Sequence, residues 1–154
     1  MPGLSLDSPL SLYSIPAMWA TAFAPVVLRT MTIMKTKGYN NLAPRGNTAQ
    51  VANDKAVPPA VAARIQRLEG AHYNGMENFP LWASAVLAAN YAGLDNRKVN
   101  TISLVYILGR VLYNYFYITQ RTVTQSNLRS VVFFGILPLP VYLLISAASK
   151  VASG

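Results

Sequence analysis

Two stretches of this sequence carry polar side chains at helical spacing inside otherwise apolar segments. In the first, Arg64–Trp82 (RIQRLEGAHYNGMENFPLW), a sector about 80° wide at about 100° per residue contains Arg67, Gly70, Asn74, Glu77 and Leu81. In the second, spacings of three and four place on one face Tyr106, Arg110, Tyr113, Asn114, Tyr117 and Arg121. Guanidinium groups bind carboxylates, and phenol groups donate hydrogen bonds. These two faces therefore suit a small anionic ligand.

The surrounding composition is that of a membrane protein. Of 154 residues, 53% are hydrophobic and only 12% are charged, about half the charged fraction of a soluble domain. Four apolar segments approach the ~20 residues that cross a bilayer, and one of them is interrupted only by Arg110. We therefore predict an all-α, single-domain bundle of four transmembrane helices, over about residues 10–37, 60–92, 99–121 and 126–149.

The charges indicate an orientation in the membrane. The net charge of +8 does not predict nucleic-acid binding, because the basic residues concentrate between spans one and two and between spans three and four. By the positive-inside rule, both termini should lie on the lumenal or external side. Cysteine is absent from the sequence, which excludes disulfides and a cysteine nucleophile.

The connector over residues 38–58 shows no helical or strand periodicity and is rich in Asn, Gly and Pro. A loop of about 20 residues in so small a domain is often functional, and a simple solvated connector is the alternative. Within the first span, Pro16 and Pro25 predict kinks, which membrane helices tolerate where neighbouring helices satisfy the freed backbone groups.

A buried charge needs a partner, because placing one at the bilayer centre costs at least ~2.5 kcal/mol. We therefore expect Arg110 to face the bundle interior and to pair with Glu77, which lies at similar depth. Arg129 and Ser130 join these faces from the start of the fourth helix. The alternative is a structural polar network without a ligand. His72, about 150° from the polar sector, is expected to make an interhelical or interfacial hydrogen bond, and no residue cluster predicts a metal site.

Three motifs resemble the MAPEG family, the membrane-associated proteins in eicosanoid and glutathione metabolism. The first is R-x-x-x-A-H-x-N-x-M-E-N-F-P-L, from Arg67 to Leu81. The others are G-R-V-L-Y-N-Y-F-Y, from Gly109 to Tyr117, and L-R-S, from Leu128 to Ser130. The resemblance covers about residues 10–148 and implies a four-helix bundle that forms a homotrimer in the endoplasmic reticulum membrane, with sites between subunits.

The resemblance also implies roles for individual residues. In members that use glutathione, the tripeptide is bound on the cytosolic side at the positions of Arg67, Asn74, Glu77, Arg110, Tyr113 and Tyr117. Lys35 lies where some members have another binding arginine. Arg129 matches an arginine that activates the thiol in leukotriene-C synthases, and Ser130 a serine debated for that role in prostaglandin-E synthases. We therefore take Arg129, Tyr113 and Ser130 as the candidate catalytic residues.

The chain departs from this pattern at Gly70, where several glutathione-using members carry an arginine that binds a glutathione carboxylate. Three hypotheses remain open. The first is a microsomal glutathione transferase or peroxidase acting on a lipophilic electrophile or lipid. The second is a glutathione-independent isomerase or cyclase of a hydrophobic metabolite, and the third is a non-catalytic lipid-binding protein. We take the first as the predicted function and the other two as alternatives.

Overall fold

The computed structural model describes residues 5–154, and within this range every regular element is helical. A 3₁₀ turn at Leu10–Tyr13 leads into the first helix, and another at Pro44–Gly46 precedes the second. The α-helices are α1 (Ser14–Thr36), α2 (Asn47–Ala52), α3 (Pro59–Tyr91), α4 (Asn96–Thr119), α5 (Val123–Ile136) and α6 (Pro138–Ala152).

The bundle has two distinct ends. One end holds the connector between α1 and α3 together with the turn between α4 and α5, and we call it the connector end. At the other, the terminal end, Asn96 Nδ2 donates to the carbonyl of Asp7, and the ammonium of Lys150 donates to the carbonyl of Gly93. Both described ends of the chain therefore lie together, opposite the connector.

The predicted fourth helix is corrected in two respects. It begins at Val123 rather than near Ser126, because Thr122 caps it: its Oγ1 accepts from the Gln125 N–H at 3.3 Å. It is also divided into α5 and α6 at Leu137, since Pro138 has no N–H to continue the helical hydrogen bonds. Leu137 itself keeps helical torsion angles, φ −57° and ψ −36°, so the chain does not turn there.

Two helical segments are long and apolar enough to cross a membrane by length and composition, Leu10–Thr36 and Val123–Ala152. The helices α3 and α4 do not meet this criterion, although they have 33 and 24 residues. They carry the polar faces described above, which lower their hydropathy. The prediction of four membrane spans and of a trimer stays a prediction.

The connector predicted as a loop over residues 38–58 contains two short regular elements, the 3₁₀ turn at Pro44–Gly46 and α2. The buried Asn47 side chain organises it, because its Nδ2 donates to the carbonyls of Asn40, Ala43 and Pro44. The Asn40 N–H in turn donates to Asn47 Oδ1 at 2.8 Å. These bonds close a compact loop and start α2, which has too few apolar residues to show periodicity.

Apolar contacts dock this folded connector on the bundle. Val51 of α2 and Val57 pack in one buried cluster with Ile33 of α1 and Ile65 of α3. At its edge, the Lys37 ammonium binds the Asp54 carboxylate, and the Ala56 N–H donates to Asp54 Oδ1. These bonds to Lys37 and Ala56 keep the pKa of Asp54 below its usual value.

The close approach of α1 and α3 depends on Gly75. A Cβ atom added at Gly75 would lie 2.7 Å from Ala22 Cβ and 2.8 Å from Ala22 Cα. Small residues at such crossings allow membrane helices to pack backbone against backbone. The crossing fixes the position of α3, which carries three of the predicted site residues, Arg67, Asn74 and Glu77.

The backbone groups freed by Pro25 are satisfied by neighbouring helices, as predicted. Because Pro25 has no N–H, the carbonyl of Thr21 lacks its helical donor, and Asn114 Nδ2 of α4 donates to it at 2.9 Å. The adjacent Ala22 carbonyl accepts from His72 Nδ1 of α3 at 2.9 Å. This contact also confirms the predicted interhelical hydrogen bond of His72.

Candidate functional site

An open cleft of about 640 Å³ lies at the connector end, between α3, the last turn of α4 and the first turn of α5. Its volume falls within the range of small-molecule sites, about 300–1,000 Å³. The lining side chains are mostly polar or cationic: Ala63, Gln66, Arg67, Tyr117, Gln120, Arg121, Thr122, Val123 and Ser126. Two guanidinium groups thus share one cleft with a phenol and two amides.

Arg67 is held at the cleft by the end of a helix. Its Nε donates to the carbonyl of Ile118 at 3.0 Å, in the last turn of α4, where backbone carbonyls have no intrahelical donor. A cation is also favoured near the negative end of the helix dipole. Arg67 therefore joins α3 to α4 while lining the cleft.

Tyr117 and Arg129 form the contact between α4 and α5 at the cleft. The Arg129 guanidinium carbon lies 4.8 Å from the centroid of the Tyr117 ring, a distance at which a cation is attracted to an aromatic face. The other end of the Tyr117 side chain packs against α3 at Gly70. Arg129 thus places a positive charge beside a tyrosine whose ring lines the cleft.

A buried polar row continues from Tyr117 into the bundle. The Tyr113 ring lies 5.6 Å from that of Tyr117, and the Arg110 guanidinium lies 4.8 Å from the Tyr113 centroid. Arg110 Nη2 donates to Asn74 Oδ1 at 2.9 Å. Arg110 is only 1% exposed, so it faces the bundle interior, as expected.

The partner expected for Arg110 is wrong. No ion pair between Arg110 and Glu77 occurs in the part of the chain that the structure describes, and Glu77 is exposed. Three residues of helix amount to a rotation of about 300°. Glu77 consequently lies about 60° from Asn74 and is turned toward the outside of the bundle. The neutral amide of Asn74 binds Arg110 instead.

Three further predicted residues lie outside the cleft lining. Lys35 is exposed near the end of α1. Tyr113 is only 4% exposed and packs against Phe133, with ring centroids 5.7 Å apart. Ser130 Oγ donates to the carbonyl of Ser126, one turn earlier in α5, at 3.2 Å. Among the predicted site residues, only Arg67 and Tyr117 line the cleft, and Arg129 contacts Tyr117 beside it.

Gln120 and Arg121 were not proposed as site residues, yet both line the cleft. Arg121 lies four residues after Tyr117, and the predicted helical spacing included it in the polar face, although α4 itself ends at Thr119. Gln120 is the last residue before the turn, and no pattern marks it. Its Oε1 is buried without a hydrogen-bond partner among the described residues, which leaves an acceptor for an N–H group.

A second polar cluster beneath the connector was also not predicted. Arg29 of α1 pairs with Glu69 of α3, and Thr48 Oγ1 of α2 donates to Glu69 Oε1 at 2.8 Å. Arg29 is 7% exposed. The cluster ties three helices together at the connector end, and its members are too far apart in sequence to be paired from spacing.

The fold and the cleft define a class: an all-helical protein with membrane-type helices and a cationic cleft at one end of the bundle. The family model of the MAPEG family matches residues 12–149, and the chain belongs to this family. No match was found among curated proteins or among solved structures. Family membership and the two long apolar segments agree with an integral membrane protein.

Proposed function

We propose that the protein is a glutathione-dependent transferase or peroxidase that acts on a lipophilic electrophile or lipid. The observation that carries this proposal is that Tyr117 shares the cleft with two arginines and contacts a third. Its ring lines the cleft with Arg67 and Arg121, and Arg129 stacks against it at 4.8 Å. Glutathione is an anionic peptide with carboxylates, amide N–H groups and a thiol. The cleft offers guanidinium groups for the carboxylates, an amide oxygen for an N–H group and a phenol for the thiol.

Binding follows from the charges of the cleft. Arg67 and Arg121 would hold the carboxylates through charge-assisted hydrogen bonds, and guanidinium groups suit planar carboxylates geometrically. The unpartnered Gln120 Oε1 would accept from an amide or ammonium N–H. No three His, Cys, Asp or Glu side chains are grouped as a metal site would need within residues 5–154, and the proposal uses none.

Catalysis would require the thiol as thiolate, because the thiolate is the nucleophile. The Tyr117 hydroxyl would donate a hydrogen bond to the sulfur, and the Arg129 charge would stabilise the negative form. In the transferase reaction the sulfur attacks an electrophilic carbon, the new C–S bond forms, and the leaving group departs with the bonding electrons. In the peroxidase reaction a lipid hydroperoxide is reduced to an alcohol, its other oxygen leaves as water, and two glutathione thiols are oxidised to a disulfide.

The setting of this reaction is also part of the proposal. Family membership and the positive charges at the connector end support a cleft that faces the cytosol from the endoplasmic reticulum membrane, in a homotrimer. The lipophilic partner would then enter from the bilayer. Lys35, Asn74 and Glu77 would contribute to binding only if a neighbouring subunit or a rearrangement brings them to the cleft, since they do not line it here.

Calorimetric titration of the detergent-purified protein with glutathione tests this function. We expect saturable binding that weakens about tenfold in Arg121→Gln, the effect of losing one charged hydrogen bond. Lys55→Gln removes an exposed basic residue of the connector and is the matched control, which should bind as the wild type does. No saturable binding, or equal weakening in both variants, would contradict the proposal.

A second candidate function is favoured by Gly70. Tyr117 packs against this residue, where the resemblance places a glutathione-binding arginine in other members. A protein that has lost this arginine could use the same tyrosine as a general acid in a glutathione-independent isomerisation or cyclisation. If glutathione does not bind, turnover of a lipid extract that Tyr117→Phe abolishes would support this alternative, and no turnover would leave a lipid-binding protein.

A further inference from the structure

A second cavity, of about 410 Å³, lies at the terminal end of the bundle, away from the cleft. It opens between the first 3₁₀ turn, the start of α1 and the first half of α4. Most of its wall is apolar and includes Leu10, Ala17, Leu104 and Ile107. None of its lining residues belongs to the cleft, so what it binds is independent of the proposed function.

Two buried polar residues of α4 interrupt this apolar wall. Asn100 is 7% exposed and Ser103 is 4% exposed, and they lie one turn apart on α4. Asn100 Oδ1 and Ser103 Oγ have no hydrogen-bond partner among the described residues. Both residues line the cavity, and the two atoms themselves are buried. Because buried polar atoms are normally paired, their lack of partners indicates a missing one.

The orientation of the Asn100 amide is fixed by the chain before α1. Its Nδ2 donates to the carbonyl of Leu6 at 2.6 Å and to that of Ser8 at 2.8 Å. The reversed amide would place its oxygen against two carbonyl oxygens, which cannot donate. The unpaired atom of Asn100 is therefore an acceptor, whereas the Ser103 hydroxyl can donate or accept.

We propose that this cavity binds a long-chain aliphatic alcohol. The hydroxyl of the ligand donates to Asn100 Oδ1 and accepts from the Ser103 hydroxyl, so that both polar atoms gain a partner. The alkyl chain lies along the apolar wall at Ala17, Leu104 and Ile107.

Other amphiphiles fit the cavity less well. A carboxylate has no hydrogen to donate to Asn100. An ammonium could donate to both polar atoms, but its charge would lie against an apolar wall, which is costly. A water molecule could satisfy the polar atoms, but it would leave the apolar wall without an occupant.

Two probes of nearly the same shape separate this site from general detergent-like binding. Dodecan-1-ol can donate and accept, whereas 1-methoxydodecane can only accept. The shift of the thermal unfolding midpoint with probe concentration gives the affinity, because a ligand of the folded state stabilises it in a saturable manner. In the wild type we expect the alcohol to bind roughly five- to tenfold more tightly than the ether, the effect of one buried hydrogen bond.

Variants locate the binding. Ser103→Ala should weaken both probes, because both accept from this hydroxyl, and Ala17→Phe should abolish saturable binding by filling the cavity. Ser84→Ala removes an exposed hydroxyl of α3 and should change neither probe. Because each variant is compared by its ligand-dependent shift, a change in its own stability does not affect the comparison. Equal binding of the two probes, or alcohol binding that survives Ser103→Ala or Ala17→Phe, would overturn the proposal.

Discussion

The hydroxyl end of Tyr117 rests against the backbone of Gly70, so that a Cβ atom at position 70 would lie 2.5 Å from Tyr117 Oη and 3.1 Å from Cζ. The absence of a side chain on α3 therefore decides where the tyrosine of α4 lies. Because Tyr117 also carries the contact with Arg129, this one relationship sets the geometry at the inner side of the cleft.

Gly70→Ala should displace the tyrosine with little effect on the fold. The overlapping atom is the far end of a side chain, and alanine stabilises a helix interior by about 1 kcal/mol relative to glycine. We expect a free energy of unfolding within about 1 kcal/mol of the wild type and glutathione affinity lowered about fivefold, as for the loss of one hydrogen bond. Calorimetry and denaturant titration measure the two quantities.

Gly135→Ala is the matched control for this change. Gly135 is also a helical glycine, but a Cβ added there meets nothing within 4 Å. The Gly135→Ala substitution should therefore stabilise the helix and leave glutathione binding unchanged. Wild-type affinity in Gly70→Ala would show that the position of Tyr117 does not matter for binding.

The hydrogen bond from Asn114 to the Thr21 carbonyl should be coupled energetically to Pro25. Asn114→Leu leaves that carbonyl buried without a donor, which costs about 1–3 kcal/mol. Pro25→Ala restores a backbone N–H at position 25 and should recover most of this loss in the double variant. A double-mutant cycle in detergent micelles measures the coupling, and strictly additive effects would mean that Asn114 does not compensate for the proline.

Asn74 should stabilise the protein mainly by satisfying Arg110. Asn74→Leu leaves a buried guanidinium without its partner and should cost about 1.5–3 kcal/mol, the usual value for a hydrogen bond to a charged group. The double variant Asn74→Leu/Arg110→Met removes both polar groups and should be more stable than Asn74→Leu alone. If the double variant is the less stable one, Arg110 has another partner, for instance from a neighbouring subunit.

The contact between Lys37 and Asp54 should make the connector sensitive to acid. The pKa of Asp54 is lowered in the folded protein by Lys37 and by the Ala56 N–H. The contribution of Asp54 is therefore fully present above its unfolded pKa of about 3.9 and is lost as the pH falls through the lower folded value. The protection factors for hydrogen exchange over residues 47–57 should fall below about pH 4 and stay constant between pH 5 and 8.

Asp54→Asn supplies the comparison for this pH dependence. At neutral pH the variant should have lower protection factors over residues 47–57 than the wild type. In acid these protection factors should show no further decrease attributable to position 54. If the protection factors of both proteins fell over the same pH range, the effect would belong to another group.

The long helices could be predicted from the sequence because charge-free runs and membrane thickness restrict their bounds. The burial of Arg110 also followed from the cost of a charge in an apolar layer. The partner of Arg110 could not be predicted in the same way. Asn74 and Glu77 differ by only about 60° around α3, and that angle decides which of them faces α4. The contact between Gly70 and Tyr117 could not be predicted either, because it depends on how closely α3 and α4 approach each other.

The connector could not be predicted because its order comes from contacts that no periodicity reveals. Asn47 binds carbonyls three to seven residues away, and Val51 and Val57 pack against helices that are distant in sequence. The pair of Arg29 and Glu69 joins residues 40 positions apart. Such contacts appear only once α1, α2 and α3 are placed relative to one another.

Direct titration of the thiol of bound glutathione, followed by the ultraviolet absorbance of the thiolate, tests the proposed chemistry most directly. A free thiol has a pKa of about 8.5, and the Arg129 charge beside Tyr117 should increase the thiolate fraction of the bound molecule at pH 7 about tenfold. Arg129→Gln should remove this increase and Arg129→Lys should keep part of it. A bound thiol that titrates as the free one does, or that is unaffected by Arg129→Gln, would contradict a role of this cleft in thiol activation.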